Sequence, residues 1–112
     1  MPTQAAFHIH RSADGQYYFH LIASTEDNVL RSENYTTHAA CLNGITSVKA
    51  HAPHEQYYQR GTQADYRPYY NLLASNRQVI GTRLNISNAT ERERLIGLCK
   101  SEAAGASTED RS

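Results

Sequence analysis

The sequence predicts an α+β fold made of two tandem βββα repeats, and three observations carry that expectation. The stretch GQYYFHLIAS (Gly15 to Ser24) recurs as YRPYYNLLAS (Tyr66 to Ser75), 51 positions later. Through both stretches apolar and polar residues alternate with the period of a strand buried on one side. After each group of strands, apolar residues recur three and four apart, which is the spacing of one helical face. A unit of about fifty residues lies near the lower limit for folding alone. The two repeats of this 112-residue chain are therefore expected to share one core.

Phe7 and Ile9 alternate with His8 and His10 to give the first strand. Phe19, Leu21 and Ala23 alternate with Tyr18, His20 and Ile22 to give the second. Parity fixes the loop between them. A two- or four-residue loop at Asp14-Gly15 would set Ile9 opposite His20. A three-residue loop, Ala13-Asp14-Gly15, pairs Ile9 with Phe19 and Phe7 with Leu21, which keeps the apolar residues on one face. Gly15 supplies the left-handed residue that such a loop needs. The same register sets His8 opposite His20 and His10 opposite Tyr18 on the other face. A short strand over residues 29–32 follows the polar turn Thr25-Glu26-Asp27-Asn28. Thr36 or Thr37 then caps a helix with Cys41, Leu42, Ile45 and Val48 on one face.

At an offset of 51, Tyr18, Phe19, Leu21, Ala23 and Ser24 meet Tyr69, Tyr70, Leu72, Ala74 and Ser75. Beyond the next turn an offset of 50 matches apolar to apolar: Val29 with Val79, Leu30 with Ile80, Ile45 with Leu95, Val48 with Leu98. That predicts one residue lost from the turn of the second copy. The resulting organisation is repeat one at 5–50, a linker at 51–56 and repeat two at 57–102, in a single domain 1–102. Tyr57 to Arg60 serves as the first strand of the second repeat. Pro68 stands where Tyr17 stands, and proline gives no N–H to a ladder, so its strand should start late or lie at an edge. Ser87 or Asn88 caps the second helix, with Asn88-x-x-Glu91 as a capping box. Residues 103–112, AAGASTEDRS, are small, polar and aperiodic, and are expected to be disordered.

The run DGQYYFHLIAS…VLRSENYTTHAACLNGITSVKA resembles the repeat of the YegP-like family, small and mostly bacterial proteins grouped as a domain of unknown function. The resemblance rests on Asp14-Gly15, Ser32-Glu33-x-Tyr35, Asn43-Gly44-Ile45 and Ser47-Val48-Lys49. The second copy keeps Tyr70-Asn71-Leu72-x-Ala74 and Val79-Ile80. It departs at Arg83, Asn85 and Arg94, where the pattern has Glu, Tyr and Gly, and its Asn-Gly turn is Asn76-Arg77. The resemblance implies a single antiparallel sheet, strands exchanged between the repeats, and both helices on one face. It implies no activity, cofactor or catalytic residue.

Composition narrows the function classes. The 11 Lys and Arg balance 11 Asp and Glu, which counts against a nucleic-acid partner. No apolar run approaches the roughly 20 residues that cross a bilayer. The first residues resemble no leader, so a soluble cytoplasmic protein is expected. Cys41 and Cys99 lack any CxxC spacing and read as buried free thiols.

His8, His10 and His20 share a face and could take zinc or nickel. Asn71 matches His20 in the second copy, however, and solvated surface histidines are the simpler reading. His38, His51 and His54 follow no ligand spacing. Ser32, Glu33 and Tyr35 invite a hydrolase reading, but no positioned base or oxyanion donor accompanies them. In the structural reading Tyr35 staples the helix entrance and Glu33 complements its dipole. Finally, Tyr18, His20, Ile22, Tyr69 and Leu73 make an aromatic and apolar outer surface that suits a protein partner or a second copy of the chain. Stacking of single-stranded nucleic acid is a weaker alternative, because Arg11 and Arg67 form a thin phosphate track. The expectation is a non-catalytic interaction module.

Overall fold

One turn geometry, used four times, shapes the sheet. The Ser12 N–H donates to the Gln16 carbonyl at 2.8 Å, and the Gly15 N–H donates to the Ser12 carbonyl at 3.0 Å. The same pair of bonds recurs between Ala23 and Asp27, Gln63 and Arg67, and Ala74 and Gln78. In each loop the third residue is left-handed: Gly15 (φ 84°), Glu26 (72°), Tyr66 (69°) and Arg77 (72°). Only the first is a glycine. At the other three the cooperative ladder on either side holds a conformation that side chains disfavour.

These turns build a computed structural model that describes residues 4–112. The elements are β1 (Ala6–Arg11), β2 (Tyr17–Ile22), β3 (Asn28–Arg31), α1 (His38–His51), β4 (Tyr58–Thr62), β5 (Pro68–Leu73), β6 (Val79–Arg83), α2 (Ala89–Glu102) and β7 (Ser107–Asp110). All seven strands join one sheet in the order β4-β5-β6-β3-β2-β1-β7. The β1–β2 register is the one that loop parity predicts, with Ile9 opposite Phe19 and His8 opposite His20.

Several expectations need correction. The sheet is mixed, because β7 runs parallel to β1. The tail after Glu102 is thus partly a strand: the Ser107 N–H donates to the Ala5 carbonyl, and the Arg111 N–H to that of Ile9. No apolar alternation announces β7, since all four of its residues are exposed. Strands are not exchanged between the halves; β1, β2 and β3 are contiguous, as are β4, β5 and β6. The helices cross instead, α1 touching β2 but also β5 and β6, and α2 touching β3 and β5. Pro68 opens an interior strand. In β2 the matching Tyr17 N–H goes to Tyr35, outside the ladder with β1, so a proline there loses one peripheral bond.

The predicted change of offset is also absent. Left-handed residues 15 and 66, and 26 and 77, both differ by 51. The helix caps Thr37 and Asn88 also differ by 51. Buried Gly44, Ile45 and Val48 correspond in the same way to Leu95, Ile96 and Cys99. Matching apolar to apolar misled because the true counterpart of Leu30 is Gly81. A side chain on Gly81 would meet Leu30 Cγ and Cδ2 at 2.5 Å. The two positions face each other where the halves join, and one fills the space the other leaves.

The helices cover one face only. Phe7, Ile9, Phe19, Leu21, Tyr70 and Leu72 are buried against Cys41, Ile45, Val48, Leu95, Ile96 and Cys99. Leu42 lies off that stripe and is 41% exposed, against expectation. Thr37 Oγ1 accepts the Ala40 N–H at 3.1 Å, and Asn88 Oδ1 accepts that of Glu91 at 2.8 Å, so each helix begins on a side-chain cap.

Candidate functional site on the helix-free face

Strand alternation sends every second residue to the face without helices. Register then assembles one residue from each strand into a row across the whole sheet. From β7 to β4 it reads Glu109, His8, His20, Arg31, Thr82, Asn71 and Gln59. His8 Nε2 lies 2.7 Å from Glu109 Oε2. Thr82 Oγ1 donates to Asn71 Oδ1 at 2.8 Å, and Asn71 Nδ2 donates to Gln59 Oε1 at 3.0 Å. Arg31 pairs with Thr82, its counterpart at offset 51, so the seam between the halves runs through the middle of the row.

Aromatic residues flank this row and pack on their own neighbours. Tyr18 stacks on His10 with ring centroids 5.4 Å apart, and the Arg31 guanidinium lies 4.3 Å from its ring centroid. Tyr69 covers Gly61, leaving no room for a side chain there. Tyr18, His20, Ile22 and Tyr69 are half-buried members of this face. Leu73 is not an exposed contact residue. The ladder shifts register between Leu72 and Leu73, and Leu73 is only 8% exposed.

The histidines are adjacent: the His10 ring lies 6.5 Å from that of His8 and 5.6 Å from that of His20. Their nitrogens are already occupied in part, His8 by Glu109 and His20 Nδ1 by Asn28 Nδ2 at 2.7 Å. Burial, aided by neighbouring positive groups, lowers the pKa of both His10 and His20. Among the described residues, no three His, Cys, Asp or Glu side chains are grouped to hold a metal ion.

Ser32, Glu33 and Tyr35 separate into different roles. Ser32 is 2% exposed; its Oγ accepts the Phe19 N–H at 2.9 Å and donates to the Glu33 carbonyl at 2.8 Å. The hydroxyl thus replaces a ladder carbonyl and is not presented to solvent. Tyr35 stacks on Phe19 with centroids 6.3 Å apart and closes over Gly44, which must lack a side chain for it to fit. Glu33 stays exposed. Burial pushes the Cys41 and Cys99 thiols up to about 11, so neither is a ready nucleophile.

A cavity of about 530 Å³ opens at the seam. His20, Asn28 and Arg31 line it from the first half, and Thr82, Arg83 and Asn85 from the second, with Glu33 also in the wall. Of these, only His20 is among the residues that the sequence alone places on the helix-free face. Arg83 and Asn85 look like mere departures from the repeat pattern. The signal lies in the constant offset, which places Arg83 against Ser32 and brings the ends of β3 and β6 together.

Residues 12–59 match a family described as a domain of unknown function, DUF1508. A UPF0339 protein of Bordetella pertussis is 37% identical over 106 residues, covering 95% of this chain and 96% of the relative. The UPF0339 protein YegP of Escherichia coli K12 is 33% identical over 104 residues, 93% of this chain and 94% of the relative. The chain belongs to the UPF0339 (YegP) family. The solution NMR structure of the E. coli yegP protein superposes with a TM-score of 0.90 at 31% identity, covering 99% of this chain and 96% of that one. A UPF0339 protein of Shewanella oneidensis gives a TM-score of 0.89 at 30% identity, covering 96% and 92%. The α+β architecture is therefore that of the family. No helix among the described residues is long and apolar enough to cross a membrane.

Proposed function

We propose that the chain is a non-catalytic binding module that takes a protein partner on the helix-free face of its sheet. The observation that carries this reading is the seam cavity, which borders that face through His20, Arg31 and Thr82 and is lined by two arginines that have no carboxylate within ion-pair distance among the described residues. The sequestered Ser32 hydroxyl and the high-pKa thiols argue against nucleophilic catalysis. A mixed aromatic and polar surface with arginine at its centre has the composition of protein contact sites.

The test begins with capture from a bacterial lysate, followed by purification and remixing of the captured protein. Its footprint should perturb the backbone amides of Tyr18, His20, Arg31 and Thr82 and spare those of α1 and α2. Tyr18→Ala/Tyr69→Ala should weaken capture while leaving the fold intact. A footprint on the helices, or equal capture by the double variant, contradicts the proposal. Light scattering at two concentrations decides whether the partner is a second copy: a mass that rises with concentration, and no longer does so in the double variant, identifies it as one.

A further inference from the structure

Six of the eleven Lys and Arg side chains, Arg60, Arg67, Arg92, Arg94, Arg111 and Lys100, lie within ion-pair distance of a carboxylate. Arg11, Arg31, Lys49, Arg77 and Arg83 have no such partner among the described residues, and of these Arg31 and Arg83 line the seam cavity. A guanidinium offers five N–H donors. Arg31 donates to the Ser32 carbonyl at 3.0 Å and to Asn34 Oδ1 at 3.2 Å. Arg83 donates to the Asn28 carbonyl at 2.8 Å and to that of Leu84. These acceptors are neutral, so they fix each guanidinium without cancelling its charge. The Tyr18 ring restrains Arg31 further.

Two oriented guanidinium groups in one cavity, neither held in an ion pair, match the oxygens of a carboxylate or phosphate. We propose that the seam cavity is an anion site that takes one carboxylate or phosphate group between Arg31 and Arg83. Thr82, Asn85 and His20 supply neutral polar partners for the remainder of the ligand. Glu33 also lines the cavity, so the formal charge of its wall is two arginines less one carboxylate, or +1. That balance suits a single anionic group and disfavours a polyanion. The volume lies in the range of small-ligand pockets, so it admits a small molecule or the end of a side chain. The inference rests on the proposed contact face only for the identity of what carries the anion.

Titration of ¹⁵N-labelled protein with inorganic phosphate, and separately with glutarate, tests it. Saturable shifts are expected at the amides of Arg31, Thr82 and Arg83, with a dissociation constant on the order of 1 mM. Arg31→Gln or Arg83→Gln should each weaken binding at least about tenfold. Arg77→Gln, in the β5–β6 turn, should change nothing, and Glu33→Gln should strengthen binding. A response to phosphate alone assigns a phosphate, and a response to glutarate alone a carboxylate. No saturable shift with either ion, or shifts that survive both arginine variants, would overturn the site. If the ions bind at the seam while a protein footprint falls elsewhere, the anion site stands and the contact-face reading fails. If a protein footprint falls on the face and neither ion binds, the contact face stands and the anion site fails.

Discussion

The two halves of the sheet share a backbone and differ in how their side chains fill it. Turns, caps and buried helix positions correspond at a constant offset of 51. Yet Phe7 and Phe19 become Tyr58 and Tyr70, whose hydroxyls donate to the carbonyls of Ala52 and Val29. Leu30 becomes Gly81, Ser32 becomes Arg83, and Tyr17 becomes Pro68. Each exchange is matched by a neighbour, so no buried polar side-chain atom among the described residues lacks a partner. What the halves conserve is conformation. What they divide between them is the filling of the seam, and that division produces a cavity with an arginine from each side.

The largest effect should come from breaking complementarity at the join. Leu30 is fully buried over Gly81. Leu30→Ala is expected to cost about 2–5 kcal/mol in urea denaturation. Gly81→Ala alone should destabilise through overpacking, by roughly 1–3 kcal/mol. It should cost less in the Leu30→Ala background, and a strictly additive pair would show that the two positions do not share space.

Ser32→Ala probes the next difference. It removes the acceptor of the buried Phe19 N–H and should destabilise by about 1–3 kcal/mol. A cost near zero would mean that another acceptor takes over, and hydrogen exchange at Phe19 would show it.

The outer edges of both halves should respond to acid. Arg60 and then Lys100 hold the Glu55 carboxyl down at about 2, beside the β4 edge. Ser112 and His38 hold Asp110 at about 2 on the β7 edge. Both folded values lie below the ordinary ones, so their stabilisation is present above about pH 4.5 and is lost as pH falls toward 2. These groups are exposed, so the effect should be small and weakened by salt. Arg60→Ala should flatten the acid limb of a stability–pH curve; an unchanged limb contradicts the assignment.

The smallest effect is expected at Pro68. Tyr17 and Tyr35 exchange two bonds of 2.7 Å, whereas Pro68 only accepts from Ile86, at 3.1 Å. Pro68→Ala restores a donor worth about 1 kcal/mol but frees the unfolded chain by roughly 0.4–1 kcal/mol. Thermal unfolding should therefore shift little.

The first six strands, most of their facing residues and both helix caps to within one residue were legible in the sequence, because alternation, turn residues and capping side chains are local signals. The first hairpin could even be registered by parity. Three features were not legible, each for a physical reason. Exposed β7 carries no apolar period. The constant offset was hidden because a leucine answers a glycine across the seam. The cavity was hidden because its wall comes from two strand ends that only the β3–β6 pairing brings together. Tyr18, His20, Ile22 and Tyr69 could be placed on the outer face from the sequence, whereas Leu73, the counterpart of Ile22 at offset 51 and next to the same ladder shift, is buried, a difference that alternation does not reveal.

The most direct measurement is to make the seam symmetrical. Arg83→Ser gives the second half the residue its counterpart carries, and thermal unfolding is followed with about 20 mM phosphate against chloride of equal ionic strength. Wild type should gain about 1–2 kcal/mol from phosphate through binding to the folded state. The variant should fold with similar stability in chloride and lose most of that gain. An equal gain in both proteins would contradict the claim that divergence between the halves has built a binding site at their seam.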